Sequence, residues 1–324
     1  MKRAISLFLS AASVLAAGDV LLVGHKWADS AGFYDTETGK QLAVVPAGVK
    51  PHEFALTPDR SVAYLTNYGV DRYTETSPGG NTLTILDLRR RQKAGAIDLG
   101  TFHRPHGIEM GPSGRLYITC DFPPSLVVVD PNKRKIVESY ELGESLPHML
   151  VLTHDEKAAY TANAGAGSVT LVRFGARKPE ARIPVGGVPM GLALSRDGTR
   201  LYVATRTANT IAVIDTATNR VVGKIEIAGN PARLALTPDG KHLLASLIEA
   251  GDVAVIDLAS QRVAHRFHAG ANVEGITVDP SGRFGYASAQ GDNTVVKFSL
   301  SDWKEVLRIR TESRPDPLAV LPGF

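Results

Sequence analysis

The chain has 324 residues, of which 21% are charged, and its formal net charge is +3. Its one cysteine, Cys120, excludes an internal disulfide, so packing has to supply the stability. The positive charge is spread along the chain, and no basic stretch is interleaved with aromatic side chains. This composition argues against a nucleic-acid partner.

The first segment has the layout of a secretory signal peptide. Lys2 and Arg3 precede an apolar run over residues 4–17, and Asp19 follows directly. We predict that residues 1–18 are removed, which leaves residues 19–324 as a single periplasmic or secreted domain. A membrane anchor is the alternative, but the run is shorter than the about 20 residues that span a bilayer. No other stretch is apolar enough, so we expect no membrane span after cleavage.

A repeat runs through the remaining chain. Its anchor is a proline, with valine in this place in one copy. The anchor is followed by any two residues, an apolar residue, any residue, an apolar residue and a turn. The spacings between successive anchors are 54, 42, 42, 42, 42 and 42 residues. The anchors are Pro51, Pro105, Pro147, Pro189, Pro231, Val273 and Pro315. Seven anchors at so even a period predict seven structural units.

Each unit reads as four short strands separated by turns. Residues 189–229 are typical, because stretches rich in strand formers alternate with the turns "RDG", "TANT" and "TATN". Four antiparallel strands in about 42 residues is the size of one propeller blade. The last unit holds a single strand, over 318–321, and the segments 19–25, 31–36 and 40–48 match the missing three. We therefore predict an all-β, seven-bladed β-propeller whose last blade joins a C-terminal inner strand to N-terminal outer strands.

Several segments resemble a known family. "VAYLTNYG" (62–69), "AAYTANAG" (158–165) and "RLYVATRTANTIAVIDTATNRVV" (200–222) are similar to the repeats of YVTN-repeat, YncE-like β-propellers. The resemblance covers the chain from residue 19 onward and implies the same seven-bladed fold. Propellers related at the level of the fold include lactonases, lyases and haem-binding proteins, and the fold alone assigns none of these activities.

Three of the anchor prolines are followed by histidine. In a propeller the first strand of each blade lines the central channel. We call upper the face that carries the loops from strand two to strand three and from strand four to the next blade. The residue after each anchor enters the channel from this face, so His52, His106 and His148 come from consecutive blades. Three imidazoles are suitable ligands for Zn²⁺, Cu²⁺, Mn²⁺ or Fe²⁺, and we predict a divalent transition-metal site there.

Charged residues at neighbouring positions are candidates for chemistry. Glu274 follows the anchor across the channel and Glu53 adjoins His52, and we predict both as catalytic carboxylates. Asp316 follows the last anchor, and Arg233 lies two positions after the anchor of the fifth blade. We predict that these two bind the ligand, since a guanidinium suits an anionic group.

The first full blade departs from the period, with a spacing of 54 rather than 42 residues. Most of the excess lies in residues 68–81, "YGVDRYTETSPGGN", which join the second and third strands on the upper face. A long loop over a regular scaffold is commonly a lid or a binding loop. We predict that Tyr68, Arg72 and Tyr73 of this loop contact a ligand.

The sequence leaves two classes of function open. The first is a small-molecule site at the upper mouth of the channel, metal-dependent and of hydrolase or lyase type. The second is a non-catalytic scaffold that binds a protein or cell-envelope partner. Neither a phosphate loop nor a Cys-x-x-Cys-His motif occurs, so we expect no nucleotide cofactor and no covalent haem. A redox role with haem held by His25, His52 or His106 is a weaker third hypothesis.

The three histidines also have a structural interpretation. Their position shares a strand face with Phe54 and Leu56, which should pack between blades. A local twist at the anchor has to turn the imidazoles into the channel if they form a site. Whether the protein is an enzyme therefore stays open at this point, and we expect it to be a monomer.

Overall fold

The computed structural model describes residues 18–324, so the predicted signal peptide lies outside the described residues except for Gly18. This part of the chain forms 28 strands and two short 3₁₀ helices, Arg206–Ala208 and Gln290–Asp292. The first half of the strands are β1 (Val20–His25), β2 (Ser30–Asp35), β3 (Gln41–Pro46), β4 (Pro51–Leu56), β5 (Val62–Asn67), β6 (Thr82–Asp87), β7 (Gln92–Asp98), β8 (His103–Met110), β9 (Leu116–Phe122), β10 (Ser125–Asp130), β11 (Lys135–Glu141), β12 (Pro147–Leu152), β13 (Ala158–Asn163) and β14 (Ser168–Arg173). The second half are β15 (Ala181–Pro184), β16 (Pro189–Leu194), β17 (Arg200–Thr205), β18 (Thr210–Asp215), β19 (Arg220–Glu226), β20 (Pro231–Leu236), β21 (His242–Leu247), β22 (Asp252–Asp257), β23 (Arg262–His268), β24 (Val273–Val278), β25 (Phe284–Ala289), β26 (Thr294–Ser299), β27 (Glu305–Arg310) and β28 (Pro315–Leu321).

The strands form seven antiparallel sheets of four, which confirms the predicted seven-bladed propeller. Blades one to six consist of β4–β7, β8–β11, β12–β15, β16–β19, β20–β23 and β24–β27, and blade seven of β28, β1, β2 and β3. The inner strands β4, β8, β12, β16, β20, β24 and β28 contact one another in ring order, and β28 also contacts β4. No helix within residues 18–324 is long and apolar enough to cross a membrane.

Blade seven closes the ring with strands from both ends of the chain. β28 pairs antiparallel with β1, with Val20 opposite Leu321 and Leu22 opposite Ala319. The Phe324 N–H donates to the Gly18 carbonyl at 3.0 Å. The predicted joining of the two termini is thus confirmed, and the first and last blades leave no open sheet edge between them.

The core lies between blades rather than inside one blade. Middle strands are buried on both faces, as in β13 (Ala158–Asn163), because each blade packs between two neighbours. Outer strands such as β11 (Lys135–Glu141) are largely exposed. Tyr64, Leu83 and Ile118 belong to one apolar cluster that joins blades one and two. Because this packing holds the blades together, the loops on the upper face are not needed to form the core.

Every inner strand contains a β-bulge directly after its anchor. In blade one Pro51 pairs with Asn67 and Phe54 with Leu65, so three steps on β4 match two steps on β5. The same shift occurs in the other six blades. A bulge turns the residues before it relative to those after it. It supplies the local twist that the histidines require, while Phe54 packs in an inter-blade cluster.

β24 of blade six and β28 of blade seven approach each other closely just after their anchors. A Cβ atom on Gly275 would overlap the carbonyl oxygen of Asp316 on β28. The backbone of β28 cannot move away without disturbing its pairing with β1. Gly275 is therefore fixed by close approach and not by its own dihedral angles.

We expect Gly275→Ala to lower the free energy of unfolding by about 2–3 kcal/mol, because overpacking against backbone is costly. The matched control is Gly223→Ala on β19, where the nearest neighbours of an added Cβ lie at ordinary contact distances of 3.7 and 4.0 Å. Urea denaturation of both variants checks the prediction. Equal stability of the two variants would contradict the close approach of β24 and β28.

Candidate functional site

The upper mouth of the channel holds a cavity of about 440 Å³. Its wall takes one equivalent residue from each blade, at the end of the second strand. These residues are Lys26, Tyr68, Asp121, Ala164, Arg206, Ile248 and Gln290. The repeat therefore places seven equivalent side chains around one opening. Their residue types differ from blade to blade, as is common for loop positions on a regular scaffold.

Five residues that follow anchors reach the cavity: His52, His106, His148, Met190 and Glu274. The rings of His52 and His106 have centroids 4.1 Å apart, and those of His106 and His148 are 3.8 Å apart. The structure thus brings the three predicted histidines together in a row on consecutive blades. Glu274 lies on the cavity wall, and no described residue forms a hydrogen bond or ion pair with its carboxylate.

Two threonine hydroxyls position the backbone of this row. Thr66 Oγ1 accepts a hydrogen bond from the N–H of Glu53 at 2.9 Å and donates to the carbonyl of His106 at 3.0 Å. Thr119 Oγ1 accepts from the N–H of Gly107 and donates to the carbonyl of His148. Each hydroxyl satisfies the bulge of its own blade and the histidine of the next. Sequence reasoning missed these threonines, although each directly precedes the residue that pairs with the anchor proline.

Burial keeps the three histidines neutral. Desolvation is the main cause that lowers the pKa of His52, His106 and His148 well below the ordinary value. The Nδ1 atoms of all three rings are buried and have no hydrogen bond of regular geometry within residues 18–324. Neutral imidazoles with unpaired nitrogens are available as metal ligands or as acceptors for a small molecule.

Asp316 lies against the first histidine of the row. Its Oδ2 is 2.7 Å from His52 Nδ1, and its side chain is completely buried. The angles at this contact are poor, so neither oxygen of Asp316 counts as hydrogen-bonded in the described part of the chain. Burial raises the pKa of Asp316. Ligand atoms of His52, Glu53 and Asp316 lie within 4.8 Å of one another, close enough to share an ion.

Glu53 and Arg233, two of the predicted site residues, lie off the cavity wall. Arg233 donates from Nη2 to Glu53 Oε1 across the channel, and Arg233 is buried. Burial is the main cause that raises the pKa of Glu53 to about 8, while Arg233 acts to lower it. The structure therefore engages Arg233 with a carboxylate of the chain, whereas the sequence predicted a contact with ligand.

The long loop covers one side of the cavity, where Tyr68, Arg72 and Tyr73 all contribute to the wall. The Tyr68 hydroxyl donates to Asp121 Oδ2 at 2.6 Å. Its ring centroid lies 5.4 Å from that of His52 and 5.2 Å from that of His106. Burial raises the pKa of Asp121 to about 6, and the bond from Tyr68 opposes this shift. The loop is thus tied directly to the histidine row.

A single buried arginine anchors this loop from below. Arg104 is completely buried, and its Nη1 donates to the carbonyl of Tyr73 at 3.1 Å. Its Nη2 donates to the carbonyls of Glu75 and Ser77. Bonds to three loop carbonyls hold residues 68–81 in place, and no pattern in the sequence indicates this role of Arg104.

Two other residues near this sector are occupied or inert. Both ring nitrogens of His25 are engaged, Nδ1 with Ser30 Oγ at 2.9 Å and Nε2 with the Tyr34 hydroxyl at 3.0 Å. His25 therefore lacks the free nitrogen that a haem ligand needs. Cys120 is buried, and desolvation raises the pKa of its thiol well above the ordinary value, which is typical of inert packing.

Comparison with known proteins agrees with the fold. The family model described as YNCE-like beta-propeller matches residues 190–283, and together with the seven blades it confirms the YncE-like resemblance. No curated protein sequence matches significantly.

Solved structures of low sequence identity share the architecture. The Pseudomonas aeruginosa periplasmic gluconolactonase PpgL is 18% identical with a TM-score of 0.78, covering 94% of this chain and 99% of its own. Kuenenia stuttgartiensis hydrazine synthase is 19% identical with a TM-score of 0.75, covering 90% and 99%. The dihydro-heme d1 dehydrogenase NirN is 13% identical with a TM-score of 0.68, covering 96% and 77%. At these identities the likeness concerns the fold alone.

The unpaired nitrogens predict an unusual stability effect. We expect His106→Leu to leave the unliganded protein equally stable or up to about 2 kcal/mol more stable, because it removes a buried polar atom without a partner. His25→Leu is the matched control, and it should cost about 1–3 kcal/mol because it leaves two partners unpaired. Urea denaturation measures both values. A loss in His106→Leu as large as in His25→Leu would show that His106 is structural.

The anchoring of the loop gives a further prediction. We expect Arg104→Gln to speed hydrogen–deuterium exchange in residues 68–81 at least about tenfold, since hydrogen bonds from a charged donor contribute about 1.5–3 kcal/mol. Arg115→Gln serves as the control, because the side chain of Arg115 is 48% exposed and pairs with Glu138 at the surface. Unchanged exchange in Arg104→Gln would mean that other contacts hold the loop.

Proposed function

We propose that this YncE-like β-propeller is an exported protein whose upper cavity binds a small molecule together with a divalent transition metal. The reaction class that we propose is hydrolase or lyase. One observation carries the proposal, namely the group of buried nitrogen and oxygen atoms without partners on the floor of the cavity. They belong to His52, His106, His148 and Asp316. Export rests on the signal-peptide layout of residues 1–18.

The cost of these atoms supports a bound ligand. A buried polar atom without a partner costs about 1–3 kcal/mol, and whole domains are stable by only about 5–15 kcal/mol. In this group the Nδ1 atoms of His106 and His148 are in this state, while His52 Nδ1 and Asp316 Oδ2 contact each other at 2.7 Å without the geometry of a hydrogen bond. Native proteins keep such groups where a ligand or an ion satisfies them. Simple blade packing by the histidines gives no reason for the cost.

The residues present fit a metal by the chemistry of their donors. Neutral imidazoles and a carboxylate form the nitrogen and oxygen set that suits Zn²⁺, Mn²⁺ or Fe²⁺. His52 would hold the ion, with Asp316 as an oxygen donor and His106 and His148 as the further predicted ligands. Glu53 is close enough to join, but its pairing with Arg233 competes with this role. A bound metal supplies polarisation of a substrate carbonyl or an activated water.

The side chains around this set have distinct roles in the proposal. Asp316 Oδ2 lies 2.7 Å from His52 Nδ1, so these two atoms are placed to face the same proposed ion. Burial raises the pKa of Tyr68, so its hydroxyl stays protonated and holds Asp121. Glu274 has no fixed partner among the described residues and is the proposed general base.

The structural relatives are compatible with a catalytic role without assigning one. A gluconolactonase is a hydrolase, and it matches the chain with a TM-score of 0.78. Hydrolysis is one of the two reaction classes that we propose for this chain. The identity of 18% leaves the residues of the site to be judged on their own geometry.

A scaffold that binds a protein or cell-envelope partner is the second candidate, and one observation favours it. The exposed large apolar side chains fall into two groups. Five are valines on outer strands, and the other four are Trp27, Val49, Tyr73 and Phe122, on loops and a strand end of blades seven, one and two. Such a cluster around the cavity mouth would suit contact with a partner.

Metal content separates the two candidates. We expect the untagged protein, purified after export, to carry about one equivalent of a transition metal, and His52/His106/His148→Ala to carry none. The matched control removes three exposed histidines, as His154/His265/His268→Ala, and should keep the metal. Elemental mass spectrometry measures all three proteins. A wild-type protein that neither contains nor takes up Zn²⁺, Cu²⁺, Mn²⁺ or Fe²⁺ would refute the metal-dependent function and favour the scaffold.

A further inference from the structure

The charges on the cavity wall do not balance. Four cationic side chains contribute to this wall: Lys26, Arg72, Arg206 and Arg314. None of them has a carboxylate within 4 Å among the described residues, whereas sixteen other pairs in the same part of the chain do. Lys26 is only 9% exposed, so water solvates its ammonium group poorly.

The acids on the same wall are mostly engaged. Asp71 pairs with Lys50 at 3.2 Å, and Asp121 accepts the hydroxyl of Tyr68. Only Glu274 is left without a partner in the described residues. The side chains on the cavity wall that lack an ion-pair partner are therefore four cations and one acid, and the buried carboxyl of Asp316 lies beneath them.

Two of the free cations lie together in blade seven. The Lys26 N–H donates to the Arg314 carbonyl at 2.9 Å, so their backbones are adjacent. The Arg314 guanidinium lies over the ring of Trp27, 4.7 Å from its centroid, and Arg314 Nε is buried without a partner. Asp316, two residues along, contacts His52, and although both cations act on its carboxyl, neither lies within 4 Å of it.

A neutral donor completes this corner. Gln290, from the adjoining blade six, lies on the cavity wall and is only 3% exposed. Its amide lies against the carboxyl of Asp316 without a hydrogen bond of regular geometry, and its polar atoms have no other partner among the described residues. The ammonium of Lys26, the guanidinium of Arg314 and the amide of Gln290 thus lie on one side of the cavity, around the buried carboxyl of Asp316. This set of donors matches the oxygens of a small anion.

We infer that the small molecule of the proposed function carries an anionic group, and that Lys26, Arg314 and Gln290 bind this group in the corner next to His52. The inference rests on the proposed small-molecule site and adds its substrate class. Carboxylate and phosphate groups both present oxygens of the required kind. The uncharged part of the ligand then faces the histidine row and the ring of Tyr73, which also line the cavity.

Trp27 provides a direct test, since Arg314 stacks on it and the chain has two tryptophans. In a Trp303→Phe background, Trp27 is the one remaining tryptophan reporter. We would titrate this protein, free of added metal, with malate, inorganic phosphate and dimethyl malate at constant ionic strength. We expect a saturable fluorescence change with malate or with phosphate, and the anion that gives it shows whether the corner takes a carboxylate or a phosphate group. We expect no change with the uncharged ester.

Charge-matched variants locate the binding. Lys26→Gln/Arg314→Gln should weaken anion binding at least about tenfold, the effect of losing one charge-assisted contact. The control, Lys224→Gln/Arg220→Gln, removes the same charge from exposed positions of β19 and should bind like the parent. Gln290→Leu, which removes no charge, should also weaken binding. Equilibrium dialysis with labelled phosphate provides a second readout that does not depend on Trp27.

The outcomes distinguish this inference from the proposed function. No saturable response to either anion, or equal weakening by both double variants, overturns the anion corner, while metal binding by the histidines would still stand. Anion binding that survives in His52/His106/His148→Ala supports the corner even if no metal is found. Binding of dimethyl malate as tight as that of malate would overturn the assignment of an anionic ligand.

Discussion

The pairing of β28 with β1 is the interaction on which the rest of the structure depends. Without it blade seven lacks its inner strand, and the first and last blades expose unpaired sheet edges. Closure also sets the ring order of the inner strands, and this order places blades seven, one, two and three side by side. The positions of Asp316, His52, His106 and His148 on neighbouring strands are thus a consequence of how the two termini meet.

Within that frame, one repeated backbone feature builds the site. The bulge after each anchor directs seven equivalent residues toward the upper mouth, and the hydroxyls of Thr66 and Thr119 fix the bulge to the next blade. Because inter-blade packing occurs farther along the strands, these positions are free to vary. Blades seven to three carry acid and imidazole there, while Met190 and Ala232 stand in blades four and five. Binding capacity is accordingly concentrated in one sector of a regular ring.

The fold could be predicted from the sequence because it rests on a period, and a spacing of 42 residues survives any local error in reading a strand. The same period brought the three histidines together correctly. What it could not give was side-chain direction, which depends on a bulge without a residue signature. The period also did not predict three further features. These are the bonds of Arg104 to the long loop, the pairing of Arg233 with Glu53, and the lack of an ion-pair or regular hydrogen-bond partner for Lys26 and Gln290. Each depends on contacts between blades that the order of residues along one blade does not encode.

The joining of the two ends in blade seven has a further consequence for how the site comes into being. Lys26 is among the first residues of the described chain to be synthesised, and Arg314 and Asp316 are among the last. A nascent chain interrupted before β28 holds all three histidines but neither the corner that faces them nor the strand that seals the ring. Assembly of the site therefore requires synthesis as far as β28, because neither the corner nor the closed ring exists before that strand is made.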